Sequence, residues 1–180
     1  MQYLRRLIWH IASRLLALTL VLGLMIVGFY YAMNATNIYV VLKDGMALRA
    51  QVILGTQDAD ELTKYFQTSF IQRDPQVQNA LAGYSPYEDY NIRGIDHRLD
   101  MSFLWVWPWD TVARVTITER VPRIDGRVKG AVADEYVEKQ GASALYPPSW
   151  QGMRYQAILV KENGQWHIRS LTVLETLSEE

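Results

Sequence analysis

The chain contains no cysteine. Disulfides and thiolate metal sites are therefore excluded, and any folded part must be held by its core alone. It has no Gly-rich phosphate loop, no Gly-x-Ser-x-Gly elbow and no His-Glu-x-x-His helix, so none of these motifs nominates a catalytic, cofactor or metal site. Basic residues do not cluster: 18 Lys and Arg stand against 19 Asp and Glu. Nucleic acid, whose phosphates require a concentrated positive face, is an unsuitable partner. One absence is local. Between Arg14 and Lys43 there is no charged side chain at all.

The core of that uncharged run, Leu15 to Met33, spans roughly 28 Å as a helix, close to the hydrocarbon thickness of a bilayer. A continuous helix is the form that satisfies its own backbone there. Gly23 and Gly28 stand five apart and do not make a four-residue dimer motif. Tyr30 and Tyr31 at one end and Trp9 at the other suit interfacial belts. Arg5, Arg6 and Arg14 precede the run, whereas Asn34 to Leu42 carries no charge. The positive-inside rule thus places the N-terminus in the cytoplasm and the larger C-terminal part outside the cytoplasmic membrane. The rivals are a cleaved signal and a buried core helix. Cuts after Ala32 or Ala35 would set Tyr30 or Met33 at the third position before the cut, where a small residue is wanted, and the run is long for a signal. The expected division is a cytoplasmic flank (1–14), a transmembrane helix (15–33), a juxtamembrane connector (34–57), one extracytoplasmic domain (58–175) and a tail (176–180). With three basic residues ahead of the span, the rest carries 15 basic and 19 acidic side chains, a net −4.

Beyond the span, Ile38, Val41, Leu42, Ala47, Leu48 and Val52 have partial helical spacing that Gly45 interrupts. A helix leaving the membrane and docking on the domain is the first expectation, a strand at 37–42 the second. Gly55 stops this element. Asp58 or Asp60 is placed to cap a helix with Leu62, Tyr65, Phe66 and Phe70 on its apolar face, broken at Asp74-Pro75. Pro75 to Ala82 makes a short helix closed by Gly83.

From Tyr90 the period changes to two. Leu99, Met101, Phe103, Trp105 and Trp107 read as the buried face of a strand, and Pro108-Trp109-Asp110 turns the chain. Ala113, Val115 and Ile117 then alternate with Arg114, Thr116 and Thr118. Pro122 marks an edge or bend, and 124–127 gives another turn signal. Ala131 to Lys139 is a short helix ended by Gly141. Residues 154–161 and 165–174 form two strands joined at Asn163-Gly164, the strongest short hairpin signal. Helices first, then antiparallel strands, is an α+β order.

The hairpin 155–168, with Lys161-Glu162-Asn163-Gly164-Gln165-Trp166-His167-Ile168 at its centre, resembles the closing hairpin of the nuclear transport factor 2-like superfamily. The resemblance extends over about 58–174. It implies helices packed on a curved antiparallel sheet, a cone, with Trp166 and Ile168 pointing into its mouth. An anchor followed by such a domain is similar in layout to envelope components of bacterial conjugative type IV secretion and of sporulation. There the domain is an assembly module rather than an enzyme. Other branches are enzymes with an Asp, His or Tyr in the cone.

Two sets of residues stand out as candidates. Trp105, Trp107 and Trp109, with Trp150 beside Pro147-Pro148, exceed what one buried face needs and suit an interface or a pocket. Asp96, His97 and Tyr155 are the polar residues an enzymatic or ligand-binding cone would use. As strand neighbours, Asp96 and His97 face opposite sides. His97 and His167 would need a third ligand to make a metal site. The leading expectation is a non-catalytic, membrane-anchored interaction module with envelope-protein partners and no cofactor. The alternative is a small-molecule or enzymatic cone. Self-association through the sheet is neither favoured nor opposed.

Overall fold

The computed structural model describes residues 2–178. Its first element, α1 (Gln2–Ile53), is one unbroken helix of 52 residues, about 78 Å long at 1.5 Å per residue. Its early part is long and apolar enough to cross a membrane, and none of that window is covered by the rest of the protein. Leucines, isoleucines and valines there point outward on every side, the pattern of a helix that is apolar all round.

The same helix continues into the folded domain. From residue 34 onward, Asn34, Ile38, Leu42, Met46, Arg49, Ala50 and Ile53 are buried. Their steps of three and four place them on one stripe. Gly45 does not interrupt the helix. A Cβ there would lie 2.9 Å from Tyr65 Cβ and 3.2 Å from Ile168 Cδ1. The glycine costs helix propensity, about 1 kcal/mol, and in return lets the helix lie directly against its neighbours. The helix ends in a Schellman motif: Gly55 N–H donates to Val52 O, Thr56 N–H donates to Gln51 O, and Gly55 has φ +71°.

Asp58 caps a 3-10 helix, Ala59–Lys64, but the expected continuous helix to Phe70 is broken. Residues 65–67 run along the sheet edge instead. Ile168 N–H donates to Tyr65 O at 2.7 Å and Gln67 N–H donates to Ile168 O at 3.0 Å. A short helix α2 (Thr68–Ile71) follows. Next comes α3 (Pro75–Leu81), with Pro at its first turn and Asp74 accepting from the N–H groups of Gln76 and Val77.

Four strands, β1 (Tyr90–Met101), β2 (Val112–Val128), β3 (Met153–Glu162) and β4 (Gln165–Thr176), form an antiparallel sheet in sequential order. The architecture is α+β. Inward residues Ala113, Val115, Ile117, Ala157, Leu159, Trp166 and Ile168 face the stripe of α1 and make one core with it. Arg114 and Arg120 alternate onto the other face and are exposed. A further helix, α4 (Ala133–Gln140), lies in the β2–β3 connection.

Two local expectations change. Residues 124–127 are not a turn but strand, paired with 91–95 of β1. Gly126 sits where a Cβ would come 2.9 Å from the Ile92 side chain and 3.0 Å from Asn91 O, so its role is close backbone approach. Pro122 marks an irregularity, as expected, and the strand runs on through it. It falls in a register shift between the pairs Asp96–Arg123 and Arg98–Arg120, where a missing N–H is tolerated. The β1 strand stops at Met101, and the alternation beyond it is inverted: Leu104 and Val106 are buried while Phe103, Trp105 and Trp107 are exposed. The Asn163-Gly164 hairpin turn forms as expected, with φ +51° and +84°.

Candidate functional site

Two groups of side chains stand at opposite ends of the docked part of α1. The first is the loop between β1 and β2. Trp107-Pro108-Trp109-Asp110 is a β-turn closed by Asp110 N–H donating to Trp107 O at 3.1 Å. The Asp110 carboxylate accepts from Trp107 N–H at 2.7 Å. The loop is held to α1 by polar contacts: Tyr31 O–H donates to Leu104 O at 2.7 Å. Asn34 Nδ2 donates to Trp107 O and Pro108 O, each at 3.3 Å. Its buried residues, Leu104 and Val106, anchor it from below, so its other side chains must face out. Phe103, Trp105, Trp107 and Trp109 are 81%, 61%, 39% and 67% exposed. They form a continuous ladder, Trp105 on Tyr31 at 5.5 Å, Trp105 on Trp107 at 5.1 Å and Trp107 stacked on Trp109 at 5.2 Å.

The second group lies at the C-terminal end of α1. Arg49 is enclosed by the core yet charged, and Asp74 answers it. Arg49 Nε donates to Asp74 Oδ2 at 2.6 Å, Nη2 donates to Oδ1 at 3.2 Å and to Gln76 Oε1 at 2.7 Å. Burial opposes the charge of Arg49, but the hydrogen bond and field of Asp74 outweigh it and hold its pKa above the ordinary value. Glu119, fully buried on β2, meets His97 Nε2 at 3.0 Å. Arg49 Nη1 and Glu119 Oε2 find no hydrogen-bond partner. Tyr155 lies within the fields of Glu119, Arg49 and Asp74. Burial, then the Glu119 carboxylate, pushes its phenol up to about 12. It is therefore a neutral hydroxyl at physiological pH, suited to donate a hydrogen bond and unsuited to act as a base.

Beside this polar group a cavity of about 270 Å³ opens, bordered by Gln76, Asn79, Tyr87, Trp150, Met153 and Tyr155. Tyr87 stacks on Trp150 with ring centroids 6.2 Å apart. A neighbouring cavity of about 350 Å³ shares Ile53, Ser85 and Tyr87 with it.

No family model, characterised protein or solved structure matches this chain. What the site does must therefore be argued from its own geometry.

The expected residues separate cleanly. Trp105, Trp107 and Trp109 are together and outward. Trp150 is at the far end, nearly buried, and is a pocket wall. Of the polar set, Asp96 faces solvent and pairs with Arg98 at 2.6 Å, which lowers its pKa through that hydrogen bond. His97 turns inward to Glu119, as strand alternation requires. Neither His97 nor Glu119 borders either of these two cavities, whereas Tyr155 borders the smaller one. His97 and His167 do not meet, because β1 and β4 are the opposite edges of the sheet. Among the described residues no group of three or more His, Asp or Glu is placed to hold a metal. Arg49 and Asp74 escaped the sequence reading. Arg49 was detectable in principle, since it falls on the same face as Met46 and Ile53.

Proposed function

We propose that this protein is a non-catalytic, membrane-anchored interaction module of a bacterial cell-envelope complex. The first part of α1 crosses the cytoplasmic membrane with the N-terminus inside, and an NTF2-like domain of the secretion or sporulation kind stands outside. One observation carries the reading. The space beneath the sheet, where an enzymatic cone would hold substrate, is filled by the anchor helix itself: Ile38, Leu42, Met46 and Ala50 are fully buried there. A helix so placed joins the span and the domain without a flexible linker. About 20 residues separate the end of the span from Ile53, so the cavity-bearing end is held roughly 30 Å above the membrane. The sheet face carrying Arg114 and Arg120 is left open to protein partners.

The experiment is capture of the full-length protein from gently solubilised native membranes, beside an Arg114→Glu, Arg120→Glu variant. Specific co-purifying proteins that are lost in the folded variant support the module. Partners retained unchanged would reject this face as their contact.

A second reading is favoured by the 270 Å³ cavity: a domain that binds a small, partly aromatic molecule between Tyr87, Trp150 and Tyr155. Of Asp96, His97 and Tyr155, only Tyr155 is placed to serve it. A purified protein that retains a small molecule and has no protein partner would move the assignment to this reading.

A further inference from the structure

The aromatic ladder lies at the level where α1 leaves its apolar span. Tyr31, two residues from the end of the 15–33 run, bonds Leu104 O and packs on Trp105. Asn34, the next polar residue, bonds Trp107 O and Pro108 O. The loop is thus fixed beside the helix at its point of exit, and whatever surrounds α1 at Tyr31 also meets Trp105. Phe29 and Tyr30 on the helix are exposed at the same level. Together with Phe103, Trp105, Trp107 and Trp109 they make an aromatic collar continuous with the span. From Ser102 to Trp109 there is no charged side chain. Tryptophan and tyrosine favour the headgroup level of a bilayer, where one end of the ring is wet and the other apolar.

We infer that the 102–110 loop is a second membrane contact, with Phe103, Trp105, Trp107 and Trp109 seated in the headgroup region of the leaflet into which α1 emerges. Its ligand is a lipid surface, recognised by apolar and aromatic burial and not by charge, so zwitterionic lipid suffices. The contact adds a second point of support to the helix. One helix leaves a domain free to tilt and rotate about it, and two points fix which side of the domain faces the membrane. The cavity end and the Arg114–Arg120 face are thereby presented away from the bilayer or along it in one orientation only. This inference rests on α1 being a transmembrane anchor.

The absence of cysteine makes the test direct. Single-cysteine variants Phe103→Cys, Trp109→Cys, Leu24→Cys and Tyr84→Cys of the full-length protein carry an environment-sensitive fluorophore. They are reconstituted in phosphatidylcholine vesicles with nitroxides at shallow or deep positions of the acyl chain. Phe103 and Trp109 are independent exposed sites on the loop; Tyr84 is exposed at the cavity end. The inference expects blue-shifted emission and quenching by shallow nitroxides at 103 and 109, quenching by deep nitroxides at 24, and a water-like, unquenched probe at 84. Unchanged emission when anionic lipid or salt is added is part of the same expectation. A quenched probe at 24 with water-like probes at 103 and 109 would overturn the loop contact, leave the anchor standing and assign the ladder to a protein partner. Water-like probes at all four positions would overturn the anchor, and the loop contact with it.

Discussion

Leu22 and Leu42 belong to the same helix, yet Leu22 is open to its surroundings and Leu42 is fully enclosed by the domain. From Leu15 to Tyr30 the helix has apolar side chains all round and little protein against them. After Met33, one stripe is buried and Lys43 and Asp44 occupy the opposite side. The difference is the one the proposed anchor calls for. A first part inserted in a bilayer would meet an apolar medium in every direction and needs no phase. The second part must satisfy a core on one side and water on the other, so its apolar residues fall into step. Because the helix does not break between the two, the orientation of the domain is tied to that of the span.

The comparison can be broken most severely at Arg49. Arg49→Ala leaves Asp74 buried and unpaired, a loss of about 3–5 kcal/mol. Denaturant unfolding of the full-length protein in detergent will show it, while helix content of the span persists. Next come paired leucine truncations. Leu42→Ala removes enclosed methyl groups and should cost about 2–5 kcal/mol. Leu22→Ala should leave domain stability within about 0.5 kcal/mol, and equal losses would mean the two halves are not differently surrounded. Gly45→Ala is the finer probe. It gains helix propensity of about 1 kcal/mol but drives a Cβ into Tyr65 and Ile168, and overpacking of about 1–3 kcal/mol should make the net change a modest destabilisation.

The last effect is in pH. Tyr155 is raised to about 12 in the fold from an ordinary 10, so the native state holds the phenolic proton more tightly than the unfolded chain. The resulting stability is fully present below pH 10 and is lost as pH rises toward 12. Tyr155→Phe should flatten the alkaline limb of the stability profile, measured by unfolding at pH steps from 9 to 12. Tyr87, raised to about 12 by burial, leaves part of the slope in place.

Much of this fold was legible where local signals act alone. The uncharged run, the Gly55 and Gly83 stops, the Asp74-Pro75 helix start and the Asn163-Gly164 turn each depend on a few adjacent residues. The misreadings have a common cause in long-range contact. Phe103, Trp105 and Trp107 have strand periodicity, but Leu104 and Val106 took the core positions and reversed the phase. The apolar spacing of 65–67 allows a helix, but hydrogen bonds to Ile168 on β4, about 100 residues later, draw the stretch out. Gly126 resembles a turn residue, and only its packing on Ile92 shows otherwise. For the site, the exposure of at least one tryptophan could be expected from their number, whereas the exposure of Trp105 and Trp107 together, and their place beside Tyr31 and Asn34, could not. The Arg49–Asp74 and His97–Glu119 pairs depend on which faces of separate elements meet, and no spacing within one element encodes that.

The most direct test of the account is a nitroxide scan of single cysteines from Leu15 to Ile53 in a bilayer. Each position is measured for access to oxygen, which concentrates in lipid, and to a water-soluble paramagnetic reagent. The account predicts oxygen access on all sides from Leu15 to Tyr30. Beyond Met33, mobility and access should fall together at 38, 42, 46 and 50 with unbroken helical phase. A loss of helical phase between 33 and 38, or access of the aqueous reagent throughout 15–33, would contradict the claim that one helix both crosses the membrane and fills the core.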